Sequence, residues 1–111
     1  MAKNTNLLLK FDLFLLSILK YNDCYGYEMT KLIRKYSDGI IDIKHGTMYP
    51  ILHDLIEKGY ITSYNKIVEN KIRIYYHIEE DGLNYLKQGI EEYDNFINII
   101  NYILHEYEGE K

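Results

Sequence analysis

The chain has 111 residues, a length that fits one domain of the usual ~100–200 residues, and its 47% apolar and 27% charged residues are the balance of a packed protein, not a disordered one. Thirteen Lys and Arg against seventeen Asp and Glu leave a net charge of −4, which excludes polyanion binding by bulk charge alone. A single cysteine, Cys24, excludes an internal disulfide and argues against a cysteine-based zinc knuckle.

The charge is unevenly placed. Residues 1–23 carry a net +1, residues 24–78 a net +2 and residues 79–111 a net −7. The middle is therefore mildly basic and the last third acidic, as in a nucleic-acid reader with a separate association element. A solvated acidic helix accounts for the tail equally well.

Residues 7–19 read as a helix that is apolar on nearly every side, interrupted only by Lys10, Asp12 and Ser17. It is too short and too charged to span a membrane, and no small-residue cleavage site follows it, so the expected location is the cytoplasm. A helix of this kind must be covered on more than one face, which a domain this small can hardly do alone. Residues 21–23 form a turn. A second helix over 26–36 places Met29, Leu32, Ile33 and Tyr36 on one face, and Ser37-Asp38-Gly39 ends it before an extended link over 40–44.

Gly46-Thr47-Met48-Tyr49-Pro50 opens a third helix. Proline is tolerated in a first helical turn, where its missing N–H is not needed, so the start is expected at Gly46 or Thr47 with the Thr47 hydroxyl as N-cap. Tyr49, preceding a proline, is expected to be slightly distorted. Ile51, Leu52, Leu55 and Ile56 make the buried stripe, and Gly59 stops the helix. Then the period changes: residues 60–67 and 72–78 are β-branched and aromatic runs around Val68-Glu69-Asn70-Lys71, a two-stranded hairpin.

Residues 81–107 carry the clearest pattern. Leu83, Leu86, Ile90, Tyr93, Ile97, Ile100, Leu104 and Tyr107 are spaced 3, 4, 3, 4, 3, 4, 3, an a/d seam. At ~1.5 Å per residue such a helix is about 40 Å long, longer than the body of the domain is expected to be. Phe96, Ile99 and Ile103 add a second apolar stripe. Surface of this extent implies a second subunit; the alternative is packing wholly against the chain's own first helix.

Helix, helix, turn, helix and hairpin is the order of a winged helix-turn-helix, in which the third helix enters the DNA major groove and the hairpin is the wing. The expected fold class is therefore mainly α with a small β-hairpin. Residues 1–80 would form the DNA-binding domain, its first helix also in the dimer interface, and residues 81–111 a dimerisation helix. Tyr25-Gly26-Tyr27-Glu28-Met29, Gly46-Thr47-Met48-Tyr49-Pro50-Ile51-Leu52, Leu55-Ile56-Glu57-Lys58-Gly59-Tyr60-Ile61, Lys71-Ile72-Arg73-Ile74-Tyr75-Tyr76 and Gly82 resemble the PadR family of transcriptional regulators, over about residues 11–90. The single C-terminal helix is similar to the compact subfamily. This resemblance implies a homodimeric repressor, with the first and last helices building the dimer. The chain departs from the family pattern at Tyr25, where His is usual, at Asn70-Lys71-Ile72-Arg73, where Gly-Arg-Pro-Arg is usual, and at Glu79, where Thr is expected.

Double-stranded DNA contacts are expected from Tyr27, Lys44, His45, Thr47, Tyr49, His53, Lys66, Lys71 and Arg73. Hydroxyls and imidazoles at a helix N-terminus suit phosphates and base edges, and wing cations suit a minor groove or the backbone. Each has a plainer reading: Tyr49 as a core tyrosine, His53 as an inert surface residue, the wing charges as a solvated hairpin. The dimer interface is expected to use Phe11, Leu15, Leu83, Leu86, Ile90, Tyr93, Ile97, Ile100 and Leu104. Two-fold symmetry then implies an inverted-repeat operator.

No nucleophile elbow or glycine-rich phosphate loop is present, and the four histidines lie in separate elements, so no catalysis, cofactor or metal is expected. Two further classes fit. The resemblance implies a sensor of small aromatic or lipophilic effectors, for which Phe11, Leu15, Tyr93, Phe96 and Ile97 are candidate lining residues, with ordinary dimer-core packing as the alternative. A winged helix used only for protein binding is the second.

Overall fold

A computed structural model describes residues 10–110, so residues 7–9 of the first predicted helix lie outside the described residues. The elements are α1 (Phe11–Leu19), β1 (Cys24–Tyr25), α2 (Gly26–Tyr36), α3 (His45–Glu57), β2 (Ile61–Val68), β3 (Lys71–Ile78) and α4 (Glu80–His105). The apolar character of α1 has a direct structural cause. It is the hub of the fold, packed against α2, α3, β3 and α4. Leu13, Leu15, Leu16 and Leu19 meet Met29 and Ile33 of α2, Met48, Leu52 and Leu55 of α3, Ile61, Tyr76 and Ile78 of the sheet, and Leu86 of α4. The chain covers α1 far more fully than its size led us to expect.

The sheet is three-stranded and antiparallel, in the order β1-β3-β2. Strand β1 was not expected. Two residues are too short to show an alternation, yet Cys24 and Tyr25 pair with Tyr76 and Tyr75. The hairpin turns on Glu69 and Asn70, at φ 52° and 66°. Positive φ at both central residues is the two-residue turn that follows the natural strand twist, and Asn tolerates it best after Gly.

Helix ends follow local chemistry. Both α2 and α3 close with Schellman bonds: Asp38 N–H to Lys35 and Gly39 N–H to Arg34 in the first, Gly59 N–H to Ile56 and Tyr60 N–H to Leu55 in the second. Gly59 at φ 78° is the expected stop. The start of α3 differs from expectation. Lys44 is the N-cap, and the Thr47 and Met48 N–H groups both donate to its carbonyl at 3.0 and 2.9 Å. Thr47 is therefore a helix residue and not the cap, and Pro50 sits in the second turn. The N–H that Pro50 lacks would have bonded the Gly46 carbonyl; Gly46 is exposed, so water can take that acceptor.

Helix α4, about 39 Å long at ~1.5 Å per residue, carries the molecule to a longest dimension of 68 Å. Its first half packs inward through Gly82, Leu86 and Gly89, where a Cβ on Gly82 would overlap the Tyr60 carbonyl oxygen. Tyr85 stacks on Tyr60 with centroids 4.6 Å apart and donates to Asp12 at 2.6 Å. Burial first, then this bond, hold the Tyr85 phenol protonated well above its usual range. Beyond the domain body α4 is uncovered among the described residues, with Ile99, Tyr102, Ile103 and Leu104 exposed, as is Tyr107 just past its end.

This arrangement divides the predicted seam. Leu15 and Leu86, at 0% and 2% exposure, belong to the protomer's own core and have no surface to give a second chain. Both are expected at a dimer interface from the sequence, but each is covered within the protomer itself. Leu83, Ile90 and Leu104 are exposed, while Phe11, Tyr93, Ile97 and Ile100 are half-buried.

Candidate nucleic-acid interface

Burial of Met48, Leu52 and Leu55 turns the opposite face of α3 outward, with Gly46, Pro50 and His53 at its centre. Tyr49 and Thr47 stand on the two shoulders. Tyr49 is 45% exposed and so is not a core tyrosine. Its ring lies edge-on to His45 at 5.7 Å, and His45 lies edge-on to Tyr27 of α2 at 6.4 Å. This aromatic row lines a cleft of about 470 Å³ between the start of α3 and strand β3. The row needs Gly26: a Cβ there would sit 2.8 Å from Tyr49 Oη and 2.9 Å from Met48 Cε. Thr47 lies on the other side, in a separate depression shared with Phe11, Asp12 and Pro50. Of the expected DNA residues of α3, His45 and Tyr49 are thus brought together, while Thr47 and His53 stand outside the row.

The expected cations are mostly engaged within the chain. Lys44 pairs with Asp42 at 2.8 Å, which Arg34 also approaches at 3.4 Å. His53 faces Glu57 at 3.3 Å, with both side chains exposed. On the wing, Lys66 lies over the Tyr75 ring at 4.9 Å and Arg73 over Tyr25 at 4.5 Å. The Arg73 Nε is buried without a hydrogen-bond partner. Lys71 stands exposed at the turn. An exposed cation–π contact is worth only about 0.5–1 kcal/mol, so Lys66 can exchange it for a phosphate readily. Lys31, which the sequence did not single out, lies over Tyr27 at 5.4 Å and adds a cation beside the aromatic row.

A polar tether fixes the wing to the body. The Asp23 carboxylate accepts from Tyr64 of β2 at 2.7 Å and faces His77 of β3 at 2.8 Å. Burial tends to raise the Asp23 carboxyl, but the bonds from Tyr64 and His77 outweigh it and hold the group below its ordinary range. Its own bond to Asp23 raises the His77 imidazole against a weaker desolvation, and the separate bond from Tyr64 to Asp23 pushes that phenol up to about 12. No spacing in the sequence pairs Asp23 with residues 41 and 54 positions away.

The expected effector cavity is not assembled in the protomer. Leu15 is buried, Phe11 faces the α3 depression, and Ile97 lines neither hollow between α1 and α4. Those hollows measure about 110 and 50 Å³; Tyr93 lines both, joined by Phe14 and Ile90 in the larger and by Phe96 in the smaller. Pockets for drug-sized ligands run to ~300–1,000 Å³. Among the described residues no three His, Cys, Asp or Glu side chains converge as a metal site, and no helix is long and apolar enough to cross a membrane. Cys24 is buried, and burial pushes its thiol up to about 11.

Comparison with known proteins agrees with this geometry. The sequence profile of the Transcriptional regulator PadR-like family matches residues 15–88. A transcriptional regulator from Clostridium thermocellum is 41% identical, with 81% of this chain and 88% of that one covered at a TM-score of 0.76. A PadR family transcription regulator from Clostridium difficile is 32% identical over 84% and 96% of the two chains, with a TM-score of 0.75. A PadR-like regulator from Bacillus cereus, 24% identical over 96% and 99%, shares the fold at a TM-score of 0.77.

Proposed function

The chain belongs to the PadR-like family of transcriptional regulators, and from that premise we propose that it is a homodimeric repressor reading an inverted-repeat operator. Regulation of transcription by DNA binding is the family's function. The finer reading rests on one observation: the exposed Ile99, Ile103 and Leu104 on the far turns of α4. Apolar surface of that length needs a partner, and a second copy of α4 is the simplest two-fold one. In this reading residues 1–80 read DNA and residues 81–111 dimerise. The outward face of α3 enters the major groove, with Tyr49 and His53 reaching base edges and Thr47, Lys44 and Lys71 reaching phosphates.

The larger hollow, beside Leu13, Phe14, Ile90 and Tyr93, supports a second element of the reading. A second subunit closing over it would enlarge the apolar enclosure, and a flat aromatic effector bound there would shift the spacing of the two α3 helices.

Selection of bound duplexes from a random pool, with sedimentation of the protein, tests the proposal. The expected result is a dimer and a selected site with a dyad, its half-sites about one helical turn, ~34 Å, apart. The Ile99→Asp/Ile103→Asp variant should sediment as a monomer and lose the site. A wild-type monomer, or selected sites without a dyad, would refute it.

A further inference from the structure

The wing has two faces of different chemistry. The strand register opposes Ile67 to Ile72 and places Ile74 one step nearer the core on the same face; Lys66, Lys71 and Arg73 occupy the other. The isoleucines are 73%, 71% and 53% exposed. Their face continues inward to Tyr76, Ile61 and Ile78, all buried in the core. The apolar stripe of the sheet thus runs on past the point where the helices stop covering it. Its outer end opens onto the DNA-facing side, since Ile72 and Ile74 line the same cleft as Tyr27, His45 and Tyr49, with Arg73, held over Tyr25, at its border.

We propose that Ile67, Ile72 and Ile74 are the DNA-contacting element of the wing, pressing on the deoxyribose walls of the minor groove. The inference rests on the DNA reading above and adds how the wing binds. A duplex seated on α3 has its neighbouring minor groove beside the wing, and apolar side chains are the groups that wedge into that groove. Continuity with the aromatic row of α3 argues for DNA as the occupant. Three isoleucines also fall far short of the ~800 Å² per partner of a stable protein interface. The charges complete the argument. Lys66 and Arg73 are each held over a ring, Tyr75 and Tyr25, on the opposite face, so Lys71, exposed at the turn, meets a phosphate without first giving up such a contact. The wing's contribution is therefore mainly apolar and insensitive to salt, unlike phosphate contacts.

The test is the triple variant Ile67→Thr, Ile72→Thr and Ile74→Thr, which keeps β-branched residues in the strands. Binding to a fluorescent duplex carrying the selected site is followed by anisotropy at several salt concentrations. The variant should bind about tenfold more weakly with an unchanged salt slope, whereas Lys71→Ala should lower the slope by about 0.9. Circular dichroism and sedimentation check fold and dimer; if the triple variant misfolds, Ile67→Thr alone, farthest from the core, should still bind severalfold more weakly. A folded variant that binds as tightly as wild type, or one whose salt slope falls as Lys71→Ala does, overturns the inference and leaves the DNA reading intact. Wild-type protein that retains no duplex overturns both.

Discussion

Gly26→Ala separates the stability of the fold from the position of Tyr49. The added methyl would lie 2.8 Å from Tyr49 Oη and 2.9 Å from Met48 Cε, with Tyr49 Cζ at 3.2 Å. Against the ~3.5 Å of a relaxed contact, the tyrosine tip is about 0.7 Å too close. Both obstacles are the free ends of flexible side chains, and Tyr49 is half-exposed, so the ring can swing away at a cost of about 0.5–1.5 kcal/mol in rotamer strain. The exchange also stiffens the unfolded chain, which returns about 0.4–1 kcal/mol. The stability change should therefore stay within about 1 kcal/mol. DNA binding should respond more strongly. A shift of about 0.7 Å carries a 2.8 Å hydrogen bond out to the limit of useful geometry. Losing one such bond costs about 1–1.5 kcal/mol, or roughly tenfold in affinity. Thermal melts and anisotropy with the selected duplex, run on the same preparation, read the two effects apart. A Gly26→Ala protein that melts and binds like wild type would show that Tyr49 reads no DNA from this seat.

Gly82→Ala should behave oppositely, because its obstacle is the Tyr60 carbonyl, which also accepts the Glu79 N–H at 2.9 Å. Backbone cannot swing aside, so destabilisation of about 3 kcal/mol is expected in a urea melt, and a wild-type midpoint would contradict the packing of α4. The Asp23–His77 pair should give a pH-dependent coupling in a double-mutant cycle with Asp23→Asn and His77→Gln. The raised His77 contributes fully below its unfolded value of 6.5 and fades as pH rises through its folded one; the depressed Asp23 contributes above its unfolded 3.8 and fades as pH falls. Coupling should thus be greatest between about pH 4 and 6.5 and, at a half-exposed site, stay below about 1 kcal/mol. A coupling that grows toward pH 9 would refute the pairing.

The helices and the hairpin were legible because their signals are local. Met29, Leu32 and Ile33 share a helical face whatever surrounds them, and Asn70 suits a positive φ in any hairpin. Gly59 stops α3 with its own N–H on the Ile56 carbonyl and that of Tyr60 on Leu55, all within five residues. Apart from the start of α3, where Lys44 and not Thr47 is the cap, the readings that differ from the structure needed partners distant in sequence. Leu86 satisfies the heptad spacing, but on the same face Gly89 lets α4 approach Leu13 of α1 and Gly82 lets it approach Tyr60 and Ile78, and the close packing buries it. Spacing reports which residues share a face, not which neighbour that face meets. Strand β1 is held by its pairing to Tyr75 and Tyr76, fifty residues on, and two residues carry no period of their own.

The wing shows the same limit in the candidate site. Counting charges along Asn70-Lys71-Ile72-Arg73 marks two cations and suggests an electrostatic contact. The strand period of two then sets Lys71 and Arg73 on one face and Ile72 and Ile74 on the other, so the geometry separates what the count combines. Arg73 borders the cleft but is held there over the ring of Tyr25, where the family pattern has His. A net charge of −4 ceases to be an obstacle under this arrangement. The acids are concentrated at residues 79–111, toward the proposed dimerisation end, and in the proposed reading the DNA surface relies on tyrosines, imidazoles and isoleucines with few phosphate contacts. Such a surface gains less affinity from low salt than a basic one, and so leaves discrimination to shape and groove fit.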